Sequence, residues 1–320
     1  MDEQRKANLA IITKKLTKRY SENMLAVDGI NLSIPTNKIY ALLGPNGAGK
    51  TTTINMLTTL IKPSHGSAMV VGFDIVNEAG EVRRRIGTTF QETVVDDDLT
   101  GRQVLDYHGR LYGQGVRPRH EKIAKLLALV ELEDAADRRA GTYSGGMKRR
   151  LELARGLMTE PEVLFLDEPT LGLDPQNRVK IWDYILNLKE RSGLTVLLTT
   201  HYMDEAEKLA DRVGIIDHGH IIIEGTPSEL IDQMGADTIR ISGQGDSGKF
   251  LVSARGLPFV HTVTITDGLI QIGIDSGNRR LAKVVSLATG SGFTIDDISV
   301  AKPSLGDVFL KYTGHQLRDI

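Results

Sequence analysis

The feature that most restricts the fold is a glycine-rich segment, residues 44–51 (GPNGAGKT). It matches the pattern G-x-x-x-x-G-K-[ST], and it lies between an apolar strand pattern at 39–43 and a helical pattern at 52–60, as such a loop requires. Glycines let successive backbone N–H groups curl around phosphate oxygens, and the N-terminus of the following helix adds positive potential. The segment predicts a phosphate-binding loop in an α/β domain; the alternative is an ordinary glycine-rich turn.

The surrounding sequence, from residue 9 to about 225, alternates short β-branched runs with longer helical patterns, which favours a largely parallel sheet. Strands are predicted at 9–16, 30–34, 38–43, 86–90, 163–166, 195–199, 213–217 and 221–224. The stretch from about 100 to 138 lacks strand signals and shows helical spacing of the apolar residues Ile123, Leu126, Leu127 and Val130. We predict a helical subdomain at about residues 95–160.

The pattern changes after residue 226. The predicted order becomes β-α-β-β-α-β, which is ferredoxin-like, and a last helix begins after Pro303 and Ser304 with apolar residues at Leu305, Val308, Phe309 and Tyr312. A chain of 320 residues is long enough for two domains. We place the boundary near 226–236, which gives a first domain at 1–230 and a small α+β domain at 231–320.

Composition excludes several classes of function. The chain has 39 Lys and Arg against 41 Asp and Glu, which gives a net charge of −2. This charge provides no general electrostatic attraction to nucleic acid or anionic lipid. It has no cysteine, which excludes thiol nucleophiles, disulfides and Cys-based metal sites. The N-terminus has no apolar signal region, and the longest apolar runs fall far below the ~18 residues that cross a bilayer. We expect a cytoplasmic chain that binds no nucleic acid.

A second motif, VLFLDEP at 163–169, is a buried-strand run that ends in two carboxylates. The carboxyl edge of a parallel sheet is where ligands bind. Asp167 suits Mg²⁺ or its water shell, and Glu168 suits polarising an attacking water. In the phosphate loop, Lys50 would reach the β- and γ-phosphates and Thr51 would hold Mg²⁺. Taken alone, a carboxylate pair after a strand is more typical of a helix N-cap than of a catalytic pair. The phosphate loop elsewhere in the sequence supports the catalytic interpretation.

The third motif is YSGGMKRR at 143–150, a glycine pair that opens a helix with Ser144 at its cap. Such a sequence is by itself ordinary cap chemistry. Together with the phosphate loop, the carboxylate pair and LTTH at 198–201, however, it resembles the ATP-binding cassette (ABC) family, whose signature usually reads LSGGQ. The resemblance covers about residues 9–225. It implies a P-loop NTPase fold of ABC type with a helical subdomain.

The resemblance also implies the roles of individual residues. ATP would be bound by Tyr20, stacked on adenine, and by the phosphate loop, Gly44, Pro45, Asn46, Gly47, Ala48, Gly49, Lys50, Thr51 and Thr52. Catalysis would depend on Glu168, His201, Gln91 and Lys50, and the expected metal, Mg²⁺, on Thr51, Gln91 and Asp167. On residue chemistry alone, a lone tyrosine on a strand is more typical of edge packing, and a lone histidine after a strand is more typical of a satisfied polar cap.

The resemblance further implies that the signature, Ser144, Gly145, Gly146 and Met147, contacts the γ-phosphate held by a second chain. Asp174 would lie in the loop that crosses this dimer. Because one cassette holds one phosphate loop and one signature, neither site is complete until two cassettes, here a homodimer, face each other. Tyr143 and Met147 stand where the family usually has Leu and Gln, but the Ser-Gly-Gly donors remain, so hydrolysis is expected.

Two other features have a structural interpretation. Arg83, Arg84 and Arg85 precede a predicted strand and are typical of cations at a helix C-terminus. His218 and His220 flank Gly219 between two predicted strands, which favours a hairpin turn over a metal site.

The order of the two regions, ending in PSLGDVFLKYTG at 303–314, resembles the daunorubicin-type export branch of the family. It implies an ATPase subunit that drives transport of a drug, lipid or polysaccharide by separate integral membrane subunits, at the inner face of the membrane. The C-terminal domain would serve interaction or regulation. Two alternatives stay open. One is a soluble ABC ATPase outside transport, although such chains usually pair two cassettes or insert a long coiled coil; the other is an ATP-binding regulatory module with little turnover.

Overall fold

The computed structural model describes residues 8–22, 24–91, 94–234, 237–266, 269–275 and 277–314. The chain separates into two compact units that divide between Pro227 and Ser228. In the described ranges, no helix has both the length and the apolar character that a bilayer crossing requires.

The first unit is built on a six-stranded sheet that is parallel except at one edge. Its strands, from one edge to the other, are β11 (His220–Gly225), β10 (Arg212–Asp217), β4 (Ile39–Leu43), β9 (Thr195–Thr200), β8 (Val163–Asp167) and β7 (Ile86–Thr89). The strands β4, β8 and β9 are buried at every position, as expected for central strands covered on both faces. The predicted, largely parallel sheet is confirmed.

The parallel register brings the carboxyl ends of three central strands together. Strand β9 lies between β4 and β8, with Thr200 opposite Leu43 and Thr199 opposite Asp167. Because each of these strands ends at the same edge, the segments that follow them emerge side by side. These are the phosphate loop after β4, Glu168 after β8 and His201 after β9.

A second, antiparallel sheet was not foreseen from the sequence. It has the order β2 (Met24–Ile30), β1 (Leu9–Ser21), β5 (His65–Val70) and β6 (Phe73–Asp74), with β3 (Ser33–Pro35) also paired to β1. The predicted strand at 30–34 is wrong as a continuous element, because Thr13 interrupts it. The Thr13 hydroxyl accepts from the Leu32 N–H at 2.7 Å and donates to the Ile30 carbonyl at 2.8 Å, which satisfies the backbone between β2 and β3.

The helices of the first unit include the predicted helical stretch. In chain order they are α1 (Lys50–Leu57), α2 (Ala79–Arg85), α3 (Gly101–Leu111), α4 (Val116–Leu129), α5 (Gly145–Gly156), α6 (Pro175–Ser192) and α7 (Met203–Leu209), with a 3₁₀ turn at Ala140–Thr142. The apolar positions of α4, Ile123, Leu126 and Leu127, are buried as their spacing predicted. Residues 133–137, expected to continue the helix, form turns instead.

Two smaller sequence predictions are confirmed in this unit. The three arginines occupy the last turn of α2, where Arg84 and Arg85 pair with Glu81. His218 and Gly219 form the turn of the β10–β11 hairpin, and both have positive φ, 45° and 79°. Positive φ at both central positions is the requirement of a two-residue hairpin turn of type I′.

The second unit begins within α8 (Pro227–Asp232), after the first residue of that helix. Its elements are β12 (Asp237–Gly245), α9 (Ser247–Arg255), β13 (Val260–Thr266), β14 (Leu269–Ile274), α10 (Gly277–Gly290), β15 (Phe293–Ala301) and α11 (Leu305–Thr313). The antiparallel sheet has the order β13-β14-β12-β15. The predicted β-α-β-β-α-β order is confirmed. Helix α11 begins at a capping box of Ser304 and Asp307, and it buries Leu305, Val308 and Phe309.

Candidate active site

The phosphate loop connects β4 to α1, and its conformation depends on glycine. Gly47 and Gly49 have φ of 82° and 105°, in the left-handed region where a side chain is strained. A Cβ atom on Gly49 would also lie 2.4 Å from the carbonyl oxygen of Ala26, so no side chain fits there. Helix α1 then starts at Lys50, and the free N–H groups of its first turn point out of its N-terminus. The loop has the backbone geometry of an anion-binding site.

The ammonium group of Lys50 lies inside this loop. Its Nζ atom donates to the carbonyls of Gly44 at 2.7 Å and Pro45 at 3.1 Å, and it lies 3.2 Å from Oε1 of Glu168. The side chain is only 4% exposed. Burial lowers the pKa of Lys50, and the charge of Glu168 opposes that shift. Lys50 is therefore the cation that joins the phosphate loop to the end of the neighbouring strand β8.

Asp167 is the last residue of β8, and hydroxyl groups hold its carboxylate. Its Oδ1 atom accepts from the Oγ1 of Thr51 at 3.2 Å and from the hydroxyl of Thr199. Burial raises the pKa of Asp167, while the two hydroxyl hydrogen bonds oppose that shift. A carboxylate beside a threonine hydroxyl is an oxygen donor set of the kind that Mg²⁺ prefers, so these two residues fit the ion.

Glu168 has a different environment from Asp167. Its φ is 47°, and its N–H group donates to the Oγ1 of Thr199 at 3.1 Å and the carbonyl of Thr199 at 3.2 Å. Its carboxylate lies between Lys50 and the Nδ1 of His201, which is 3.1 Å from Oε2. Burial would raise the pKa of Glu168, but His201 and the charge of Lys50 outweigh burial and lower the pKa. The carboxyl is thus held ionised, as a proton acceptor must be.

The structure brings Lys50, Thr51, Asp167, Glu168 and His201 into one cluster. Among the described residues, no hydrogen bond or ion pair joins the other predicted site residues, Tyr20, Gln91, Ser144 and Asp174, to it. Tyr20 is on β1 with 49% of its surface exposed, and Gln91 is exposed after β7. Asp174 is exposed and caps α6 by accepting from the N–H of Asn177.

The signature residues form the start of α5. Ser144 caps the helix by accepting from the N–H of Met147 at 3.3 Å, so the ordinary reading of this motif as a cap is also correct. Ser144 and Gly145 are exposed, whereas a Cβ atom on Gly146 would lie 2.9 Å from the side chain of Asn177. The helix therefore packs on the segment that Asp174 caps and presents its N-terminus to the surface.

The structure accounts for Tyr143, which stands where the family usually has Leu. Its side chain is 6% exposed, and its hydroxyl donates to the carbonyl of Ala135 at 2.6 Å. A Cβ atom on residue 101 would lie 2.4 Å from this hydroxyl, so the glycine at 101 makes room for the tyrosine. Tyr143 is thus a packing residue within the helical stretch.

Replacing Tyr143 with phenylalanine is expected to lower stability and to leave ATP hydrolysis close to wild type. The ring still fills its space, but the Ala135 carbonyl loses its partner, at a cost of about 1–3 kcal/mol in the free energy of unfolding. Urea unfolding followed by the fluorescence of Trp182, the chain's one tryptophan, measures the loss. The control is Tyr112→Phe, whose side chain is 46% exposed and should unfold like wild type. A stable Tyr143→Phe protein without hydrolysis would contradict this role.

Two residues that contact the site were missed at the level of sequence. The hydroxyl of Thr199 donates to the carboxylate of Asp167 and accepts from the N–H of Glu168. The sequence feature that could have identified Thr199 is the polar TTH segment at the end of an apolar strand. The guanidinium of Arg149 donates to the carbonyls of Asp167 and Glu168, both at 2.9 Å. In the sequence, Arg149 belongs to a basic KRR run that is typical of a solvated helix face, so nothing marked it out.

These features define the class of protein: a P-loop NTPase, in which a phosphate loop, two carboxylates and a histidine meet at the edge of a parallel sheet. Comparison with known proteins narrows the class. Residues 27–171 match the family described as ABC transporter, and residues 225–313 match the C-terminal domain described as ATP-binding protein DrrA1-3-like.

Similar proteins match almost the whole chain. The daunorubicin resistance ATP-binding protein DrrA3 of Streptomyces coeruleorubidus is 41% identical over 98% of this chain and 98% of its own length. The linearmycin resistance ATP-binding protein LnrL of Bacillus subtilis is 37% identical over 96% of this chain and 99% of its own. The Nod factor export ATP-binding protein I of Burkholderia lata is 43% identical over 72% of this chain and 75% of its own length.

Solved structures match about 70% of the chain. CbiO1 from Clostridium perfringens, part of the ABC transporter complex cbiONQ, superimposes with a TM-score of 0.65 and 28% identity, over 71% of this chain and 92% of its own. The dimeric ATP-binding cassette MJ0796, bound to ADP and Pi in a post-hydrolysis state, superimposes with a TM-score of 0.62 and 27% identity. The match covers 68% of this chain and 98% of the MJ0796 chain. The chain belongs to the ABC transporter family of ATP-binding proteins, which hydrolyse ATP.

Proposed function

We propose that this chain is the ATPase subunit of an exporter, which works as a dimer of cassettes with Mg-ATP at the interface and drives separate integral membrane subunits. The observation that carries the proposal is the match of both regions, over nearly the full length, to proteins named for drug resistance. A relative named for Nod factor export supports transport out of the cell as the direction. The chain would act in the cytoplasm, at the inner face of the membrane.

The chemistry follows from the cluster around Glu168. Lys50 would bind the β- and γ-phosphates, which compete with Glu168 for its ammonium group. Glu168 would then accept a proton from the attacking water, and His201, at 3.1 Å from Glu168, would face the γ-phosphate. Thr51 and Asp167, with Gln91, would hold Mg²⁺, which neutralises charge on the phosphates when it is bound. The adenine ring would stack on Tyr20.

The dimer is supported by what the first unit exposes. Ser144 and Gly145 present the N-terminus of α5 at the surface, and Asp174 lies exposed at the start of α6. A helix N-terminus at the surface is suited to contact a phosphate group held by another chain. The dimeric MJ0796 cassette shows that a cassette of this fold pairs with a second copy.

We also propose that residues 231–320 form an interaction or regulatory domain. From residue 236 onward the sequence has nine Lys and Arg against eight Asp and Glu, a balance that does not favour a polyanion as its ligand. Every residue proposed to contact ATP or Mg²⁺ lies before residue 228, in the first unit.

Export is tested in the native host, where the membrane subunits are present. A strain that lacks this chain is complemented with wild type or with Lys50→Ala, and the cellular accumulation of daunorubicin and of linearmycin is measured. Wild type is expected to lower the accumulation of a cargo, and Lys50→Ala is not, because it removes the main side-chain contact to the phosphates. Wild-type protein that hydrolyses ATP yet changes neither accumulation nor resistance, and that copurifies with no integral membrane subunit in detergent, would contradict the export function.

A further inference from the structure

Arg149 is a buried cation with an unusual set of partners. It lies on α5, five residues after Ser144, and it is 7% exposed. Its guanidinium donates to four backbone carbonyls: Nε to Pro169 at 2.7 Å, Nη2 to Asp167 and Glu168 at 2.9 Å each, and Nη1 to Phe90 at 2.6 Å. These carbonyls belong to the last residue of β8, to the two residues that follow it and to the residue before Gln91.

Glu152 compensates the buried charge and extends the network. It is fully buried, and its Oε2 accepts from Nη1 of Arg149 at 3.1 Å. Its other oxygen accepts from the N–H of Val94 at 2.8 Å, while Arg155 donates to the Val94 carbonyl at 2.6 Å. The side chains of one helix therefore hold backbone groups on both sides of Gln91, as well as those next to Glu168.

These contacts require the planar fork of an arginine. A guanidinium presents five N–H donors in a fixed geometry, whereas a lysine ammonium is a point charge with three. Five residues of helix span about 7.5 Å along the axis, so one short stretch of α5 connects Ser144 to Arg149. Ser144 is exposed at the start of this stretch, and Arg149, at its end, donates to the carbonyls of Asp167 and Glu168.

We propose that Arg149 is a positioning residue, which keeps the backbone that carries Glu168 in register with the signature helix. When Ser144 meets the nucleotide of a second chain, the Glu168 carboxylate of its own chain is then in place for hydrolysis. This second step rests on the proposed dimer. The residue touches neither the phosphate loop nor Lys50 through any hydrogen bond in the described part of the chain, so its effect is on the rate rather than on ATP binding.

The test compares Arg149→Lys with Arg150→Lys. The two make the same substitution on the same helix, but Arg150 donates to the carbonyls of Val130 and Glu131, away from the catalytic segments. We expect Arg149→Lys to lower kcat about 10²-fold, the scale on which a displacement of about 1 Å reduces a rate, with KM unchanged. Arg150→Lys should keep the wild-type kcat.

A second experiment distinguishes a positioning role of Arg149 from a purely structural one. Each substitution is combined with Glu168→Gln, and the ATP-bound dimer is measured by sedimentation. If Arg149 positions the backbone, the double variant still forms the dimer as Glu168→Gln does. Wild-type kcat in Arg149→Lys, dimer loss in the double variant, or an equal kcat loss in Arg150→Lys would each overturn the proposal.

Two further results keep the test decisive. If Arg149→Lys does not fold, Glu152→Gln replaces it. Its amide has one acceptor oxygen where the carboxylate has two, so it cannot accept from both Nη1 of Arg149 and the N–H of Val94. The same fall in kcat with unchanged KM is expected, and a wild-type kcat would overturn the proposal. If Glu168→Gln alone forms no dimer with ATP, the proposed dimer fails, and the split between kcat and KM then decides the role of Arg149 by itself.

Discussion

A chain in which Glu168 is replaced by glutamine is expected to bind Mg-ATP and to lose most of its hydrolysis, by about 10²- to 10⁴-fold. The amide keeps the shape of the side chain but cannot accept the proton of the attacking water. The structure gives the carboxylate what a base requires: Lys50 at 3.2 Å and His201 at 3.1 Å keep it ionised although it is buried. Because the phosphate loop is untouched, ATP should accumulate on the protein and trap the dimer.

Steady-state turnover, calorimetric ATP titration and sedimentation with ATP measure the three parts of this expectation. The matched control is Glu207→Gln, which makes the same change at an exposed position of α7 and should hydrolyse ATP like wild type. Lys50→Ala should instead weaken ATP binding itself. Turnover of Glu168→Gln close to that of wild type would show that another group is the base.

Replacing Ser144 with arginine is expected to abolish ATP hydrolysis and to leave ATP binding by the isolated chain intact. The exposed N-terminus of α5 would meet the γ-phosphate of a second chain, and a long side chain there keeps the two surfaces apart. Lys50 and the phosphate loop are not part of this helix, so the chain's own ATP contacts remain. Turnover and calorimetric titration of the same preparation measure both effects.

Loss of the helix cap could give the same result, and Ser144→Asp separates the two causes. Aspartate is as good an N-cap as serine, so it preserves α5, but its negative charge repels a phosphate group. If the contact with the second chain's nucleotide is what matters, Ser144→Asp is also inactive. A fully active Ser144→Asp protein would show that the serine acts only as a cap.

Mixing the Ser144→Arg and Lys50→Ala chains tests whether the site is shared. In a mixed dimer, the intact phosphate loop of one chain meets the intact signature of the other, so one of the two sites is complete. Hydrolysis should therefore recover in part, although each variant alone is inactive. If mixing restores no activity while mixed dimers form, the shared geometry is wrong.

Several features were available from the sequence because they depend on local chemistry. The left-handed conformations of Gly47 and Gly49 belong to a glycine pattern between a strand and a helix, and the hairpin turn at His218 and Gly219 lies between two β-branched runs. The β-α-β-β-α-β order of the second unit follows from its alternating hydrophobic periods. Each of these signals lies within a few residues of the structure that it predicts.

The antiparallel sheet of the first unit was decided by tertiary structure. Strand β5, HGSAMV, has four exposed residues and little β-branched character, and it exists because β1 offers it a ladder of hydrogen bonds. Strand β1 pairs with its neighbour β2, but also with the more distant strands β3 and β5. Ile11, for example, lies opposite Val70, which is far away in the sequence. Because such a strand forms through pairing with distant segments, its own sequence does not need to show the alternating hydrophobic pattern of a strand.

The candidate active site also contains both residues that the sequence identified and one that only the tertiary structure revealed. The sequence marked Lys50, Asp167 and Glu168 because a phosphate loop and a carboxylate pair are each contiguous motifs. The role of Arg149 could not be seen in this way: its partners are the carbonyls of residues 90 and 167–169, and a carbonyl is present at every position of any chain. Which backbone groups lie within reach of a buried guanidinium is fixed only when the helix and the two strand ends are packed together.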